Sequence, residues 1–388
     1  VTPRTCRVPW SPGKNAEKSK MAMIRVWDLP TRTFHWLFAA ACVVAWVTGD
    51  DARNTHLHTF AGYCALGLVL FRLVWGVVGG RYARFSSFVR RPRALIEHIS
   101  DLKRPLRTHH LGHNPAGGWA VVILLTLVLL LGISGIAVLG GEEGFGPLAG
   151  VLTIAQGVAI HALHEWLGWV LLGMVLLHLA GVIFESSLQH ENLPRAMVSG
   201  NKQGEAADAE PNNSTRIAIA MVAIITLSAL INLKPYLSQD ADNPYQPYHQ
   251  PPLVQNTLWQ ESCSECHLAY HPATLPWRSW QRIFYEQENH FDEDLALDPG
   301  DVTALLDFSR TNSAEKINRE ISWRTTHSLN SNETPLRITG TNYWKATHAD
   351  IDEALWRDER VKGKFNCNNC HRDAEAGSFS NGAMALPR

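Results

Sequence analysis

Two pentapeptides in the C-terminal half, "CSECH" and "CNNCH", each place two cysteines three positions apart with a histidine directly behind them. They comprise Cys263, Cys266 and His267, then Cys367, Cys370 and His371. Thiols at this spacing reach the two vinyl groups of one porphyrin, and the following imidazole falls over its iron, so C-x-x-C-H is the attachment pattern of c-type haem. A zinc site made from the same cysteines needs two more ligands per pair and leaves the histidines without a role. Two copies in one domain point to two covalent haems c. Sixth ligands are available in His249, His271, His290, His327, His348 and Met384, and spacing alone does not choose among them.

A different pattern occupies the N-terminal half. The apolar stretch "HEWLGWVLLGMVLLH" runs from His164 to His178. Fourteen helical steps come within about 40° of four full turns and rise about 21 Å, so both rings sit on nearly one face. A hydrocarbon core is about 30 Å thick, which puts one ring toward each edge of it. Imidazoles at that depth are costly and are usually functional, although a lone one can simply bond a neighbouring helix.

The elements that must position these residues divide the chain in two. Long apolar runs end near residue 235 of 388, and net charge is −1, which gives no reason to expect a nucleic-acid partner. Five segments read as spans, at about 31–49, 58–79, 119–139, 161–184 and 215–234. The connection from Gly80 to Gly118 carries eight basic residues, Arg81 to Arg107, whereas that from Gly140 to Ile160 carries Glu142 and Glu143 and no Lys or Arg. By the positive-inside rule the first connection is cytoplasmic and the second is outside, with the N-terminus inside and the C-terminal half outside. Residues 1–22 form a basic, polar extension with no apolar core of the kind a signal peptide has, and Met21 or Met23 is a candidate start. The stretch "SGNKQGEAADAEPNNS" reads as a flexible cytoplasmic linker, placed at 203–214.

This topology pairs histidines across helices. His35, near the inner end of the first span, meets His178; His58, near the outer end of the second, meets His164. Each pair would hold one non-covalent haem b. His56 and His161 lie close by but face elsewhere. Arg72, fourteen residues after His58, lies at the inner depth, where it either pairs with a haem propionate or snorkels to the interface. Cys42 and Cys64 read as packing residues. The polar C-terminal domain, 243–388, offers little apolar core without its haems.

Longer motifs resemble two known families. "RVWDLPTRTFHW", "FRLVWGVVGGRYARFSSFV", "GHNPAGGW" and "HLAGVIFESSLQHENLPRAMVSGNK" are similar to the membrane cytochromes b that include bacterial cytochrome b561 and the b subunit of nickel–iron hydrogenases. The resemblance covers residues 25–202 and implies a four-helix dihaem core with the same four ligands, within a membrane domain at 23–202. His113 in "GHNPAGG" is read as a turn and helix-start residue. "CSECHLAYHPATLPWRSWQRIFYEQENHF", "TPLRIT", "YWKATHADI" and "CNNCH" resemble the bacterial dihaem cytochromes c. That resemblance makes His267 and His371 proximal ligands and His290 and His348 distal ones, without saying which distal histidine serves which haem. His271 and His327 are then bystanders.

The expected architecture is an all-α membrane protein: a four-helix dihaem b core, a fifth transmembrane helix, and a small, mainly α dihaem cytochrome c domain. It would sit in a bacterial inner membrane with the C-terminal domain periplasmic. The expected function is electron transfer between membrane quinone and a soluble periplasmic cytochrome or other haem protein. Alternatives are a membrane anchor and relay for a separate redox enzyme, and superoxide oxidation at the outer b haem, which the acidic outer loops disfavour. No P-loop, G-x-G-x-x-G or nucleophile motif occurs in the sequence.

Overall fold

The computed structural model describes residues 22–50, 54–101, 110–211, 213–238, 252–379 and 383–384. The N-terminal extension before Ala22, the basic residues Lys103, Arg104 and Arg107, and the candidate ligand His249 lie outside them.

The chain opens with β1 (Ala22–Arg25) and turns into α1 (Leu29–Thr48), α2 (Thr55–Val78), the short α3 (Phe85–Phe88) and α4 (Pro92–Asp101), then α5 (Pro115–Gly141), α6 (Ile154–Gln189) and α7 (Leu193–Ser199). After β2 (Asn201–Gly204) comes α8 (Thr215–Leu237). The starts are written locally. Asp28 accepts the Thr31 amide ahead of Pro30, Asn114 accepts that of Gly117 ahead of Pro115, and Thr153 and Gln156 form a capping box at α6. His113 thus stands where the sequence places it, directly before the α5 cap.

Among the described residues four helices are long and apolar enough to cross a membrane: α2, α5, α6 and Thr215–Lys234 of α8. The first expected span, α1, is not one of them on composition, since its opening turns carry Arg32 and His35. It nevertheless packs along α2 and α8, and α2, α5 and α6 follow side by side. A core of Phe34, Ala65, Leu68, Val69, Leu125, Val128 and Met221 joins them. Near one end α5 and α6 approach through glycine: a Cβ on Gly141 would lie 2.6 Å from the Gly157 Cα.

The stretch read as a flexible linker is built differently from that expectation. β2 pairs antiparallel with β1, Ala22 opposite Gly204 and Arg25 opposite Asn201. The Lys202 ammonium is buried against Glu191 at 3.0 Å and donates to the His110 carbonyl at 3.1 Å. Glu210 is also buried, and its carboxylate accepts the Arg81 amide at 2.6 Å. Partnered burial of charge holds residues 201–210 in a folded cap over one end of the bundle. The polar composition that suggested mobility instead supplies the ion pairs and backbone bonds.

The C-terminal unit comprises α9 (Thr257–Cys263), α10 (Trp277–Tyr285), α11 (Pro299–Asn312), α12 (Glu320–His327), α13 (Asn342–Thr347) and α14 (Glu353–Trp356), joined by turns and single 3-10 turns. It has more protein core than its composition suggests. Trp259, Leu275, Trp280, Ile283, Phe284, Leu305 and Ile338 close on one another, with Trp259 and Trp280 edge to face at 5.1 Å. A few large aromatics, spaced among turns, achieve what a longer aliphatic pattern would.

Candidate functional site

Two imidazoles that held one metal ion between them from opposite sides, through nitrogens at about 2.0–2.1 Å, would place their ring centroids roughly 6.3 Å apart. Three histidine pairs stand at this spacing. His58 on α2 and His164 on α6 are 6.0 Å apart, His267 and His290 are 6.3 Å apart, and His348 and His371 are 6.2 Å apart. His290 faces the histidine of the first C-x-x-C-H and His348 that of the second. His35 on α1 and His178 on α6 are close enough to interact electrostatically, and both act on the buried His113, as Arg72 does.

The second nitrogen of each ring shows which one is available. His58 Nδ1 is 2.8 Å from the Ala45 carbonyl, His267 Nδ1 is 2.8 Å from that of Leu268, and His348 Nδ1 is 2.9 Å from that of Trp344. His164 Nδ1 meets the Ser134 hydroxyl at 2.9 Å. A carbonyl fixes the Nδ1–H tautomer and turns Nε2 toward the partner ring, as outer-shell partners of metal-bound histidines do. The neighbouring Gly135 leaves room for the His164 ring, since a Cβ there would stand 3.2 Å from its Cε1. In the C-terminal unit burial, with the facing His267, lowers the His290 pKa; burial, with the facing His348, lowers that of His371; burial lowers that of His348. All three stay in the neutral, ligating form at pH 7.

The competing histidines are engaged elsewhere. His271 is buried with both nitrogens used, one at 3.0 Å from the Val254 carbonyl and the other accepting the Ala273 amide. His327, stacked on Trp323 and bonding its carbonyl through Nδ1, is held as His348 is but is not part of any of the three facing pairs. His161 is held by Glu142 at 3.0 Å, and His56 is 2.9 Å from the Asn232 carbonyl.

Arg72 is buried among protein side chains. Its guanidinium lies over the Phe85 ring at 4.7 Å, and one terminal nitrogen has no hydrogen-bond partner. His35 Nδ1 and His371 Nδ1 are likewise buried without partners. His113 is enclosed by Trp27 and Phe88, with centroids 4.8 and 4.5 Å away; burial, reinforced by Arg72, His178, Lys202 and His35, pushes its pKa down to about 3.

Haem fits these residues. Three of the pairs offer two facing imidazoles, between which a haem iron would be held. Among the described residues no three His, Cys, Asp or Glu side chains converge as a zinc site requires. Cys263, Cys266, Cys367 and Cys370 are free of disulfides beside the C-terminal pairs. Sequence reasoning missed the supporting groups: Ser134 and Gly135 around His164, Trp344 stacked on His348 at 4.5 Å, and Tyr270, 5.2 Å from His267 by ring centroids. Ser134 and Gly135 lie on a neighbouring helix, a relationship invisible along the chain.

The family described as prokaryotic cytochrome b561 matches residues 26–200, and that described as dihaem cytochrome c matches residues 259–379. Probable Ni/Fe-hydrogenase B-type cytochrome subunits are similar to the first part. That of Azotobacter chroococcum mcd 1 is 25% identical over 221 residues, covering 48% of this chain and 92% of that protein. That of Cupriavidus necator is 29% identical over 213 residues, covering 45% and 85%. A dihaem cytochrome c from Rhodobacter sphaeroides is 32% identical and covers 33% of this chain and 100% of that one, with a TM-score of 0.30. The dihaem cytochrome c of Shewanella baltica OS155 is 25% identical, covering 35% and 95%, with a TM-score of 0.28.

A bundle of membrane-length helices joined to a C-x-x-C-H unit defines an integral membrane electron-transfer protein carrying b-type and c-type haem. The two family matches lie in one polypeptide, prokaryotic cytochrome b561 over residues 26–200 and dihaem cytochrome c over residues 259–379.

Proposed function

We propose that this protein passes electrons between the membrane quinone pool and a soluble redox partner across the membrane, through two b-type and two c-type sites. The observation that supports this most strongly is the repeated facing of histidines about 6 Å apart, once in the bundle and twice beyond it. Haem iron bound there supplies one-electron chemistry that no side chain of this protein offers. His58 and His164 hold one b-type group, and His35 and His178 the other. His267 with His290, and His348 with His371, hold the groups tethered by Cys263 and Cys266 and by Cys367 and Cys370. With two histidines per iron these sites are closed to small ligands, which suits electron carriage. Arg72, buried with an unpaired donor beside the inner site, balances a propionate.

In this reading α1 is a fifth span, admitted by its packing on α2 and α8 despite Arg32 and His35. The capped end faces the cytoplasm and the C-terminal unit the periplasm, because the basic loop belongs to the capped end.

The test is a coupled assay in vesicles with the C-terminal unit outward. Quinol in the bilayer should be consumed with two ferricyanide ions reduced outside per quinol. Haem analysis should give two b and two c per chain. Failure of quinol, with a chemical reductant still reducing every haem, favours the second reading. That is a relay for a separate redox enzyme, suggested by the hydrogenase subunits named among the relatives.

A further inference from the structure

The two c-type sites are not equivalent with respect to the bundle. The C-terminal unit rests on the bundle end where α5 leaves and α6 begins. The Ile154 amide donates to the Asn318 side chain at 3.3 Å, α12 packs on α6, and Arg324 of α12 reaches Glu142 at 4.0 Å. Glu142 also binds His161, one helical turn before His164. The neighbouring Glu143 is buried at the same place. α12 also packs on α13, the helix that His348 closes. One polar seam therefore runs from the turn carrying His164 to the helix that ends at His348.

The other site is turned elsewhere. Cys266 is exposed, and the segment holding His290 presents Tyr285, 72% exposed, and Phe291, 54% exposed. Between the two c-type sites stands Tyr270. Its ring lies 5.2 Å from that of His267, its hydroxyl is 3.9 Å from Cys367 Sγ, and it bonds the Phe365 carbonyl.

We propose that the Glu142–Arg324 seam fixes the order of the sites. The His348/His371 site exchanges electrons with the His58/His164 site, and the His267/His290 site, reached past Tyr270, is the port for the soluble partner. In each step one electron leaves a ferrous iron and reduces the next ferric iron, and no bond forms or breaks. The reverse order of steps serves reverse flow. The proposal rests on the ligand assignments above but not on quinol as the donor.

The test uses full-length protein in vesicles, C-terminal unit outward, reduced with dithionite and mixed with membrane-impermeant ferricyanide. Cys367→Ser with Cys370→Ser should leave the remaining c haem oxidised at its normal rate while b oxidation slows at least tenfold. Cys263→Ser with Cys266→Ser should keep the b and remaining c bands oxidising together. The opposite assignment of coupled and uncoupled variants overturns the order. Arg324→Glu should uncouple b from c several-fold at unchanged haem content, raise hydrogen exchange across α12, and be rescued by Glu142→Arg. Unchanged coupling with a released α12 overturns the role of the seam. Because ferricyanide draws electrons outward, a protein inactive with quinol still gives a clear answer here.

Discussion

An imidazole that gives one nitrogen to iron must place the proton on the other, and the carbonyls of Ala45, Leu268 and Trp344 receive such protons from His58, His267 and His348. Removing a ligand is then a local event at its own site. His178→Ala should cost the inner b haem, about half the b absorbance, with both c haems still attached; full b content would contradict the assignment. Cys367→Ser with Cys370→Ser should remove one covalent haem on a denaturing gel and leave the b spectrum unchanged. At this scale the two C-x-x-C-H motifs and the His164/His178 spacing were readable from residue order. The pairing of His290 with His267 and of His348 with His371 was not. Directly after His290 the chain turns through Phe291 and Asp292, two successive non-glycine residues at φ 55° and 72°. Such a backbone turn is uncommon for these residue types, and local preference does not announce it.

Elements carry the spacing between sites. Helical periodicity puts His164 and His178 on one face of α6, and the close Gly141–Gly157 contact with α5 fixes where that face stands in the bundle. Gly157→Leu should push the two helices apart and lower outer-site b haem by about half or more, measured by haem extraction, while c haem is retained. At the same end, burial, with Glu320, Glu142 and Asp373 adding to it and His161 opposing it, raises the Glu143 pKa to about 8. The docked form then keeps a proton that an exposed carboxyl loses above its ordinary pKa. Docking weakens as pH rises from that ordinary value and levels off past about 8, because the docked state binds the extra proton only within that window. Transfer between b and c sites should slow a few-fold from pH 6 to pH 9, and Glu143→Gln should flatten the profile. A profile unchanged by Glu143→Gln would remove this carboxyl from the docking account. The helices themselves were legible from apolar runs and caps. The β1–β2 cap was not, because its strands are four residues long and 175 residues apart, and neither AMIR nor NKQG gives an alternating pattern.

For the whole molecule, fusing the two units replaces a bimolecular encounter with an internal contact, so electron exchange between them does not depend on concentration. The division at residue 235 was visible in composition, whereas the face by which the units meet was not, since Glu142, Asn318 and Arg324 resemble any surface residues until the fold brings them together. The measurement that tests the account most directly is stopped-flow mixing of the purified, haem-quantified protein with reduced quinol and no other protein. Reduction of the b bands followed by the c bands is the expected result. Bands that do not move with quinol, while dithionite reduces both, would contradict a self-sufficient path from the membrane to the C-terminal unit.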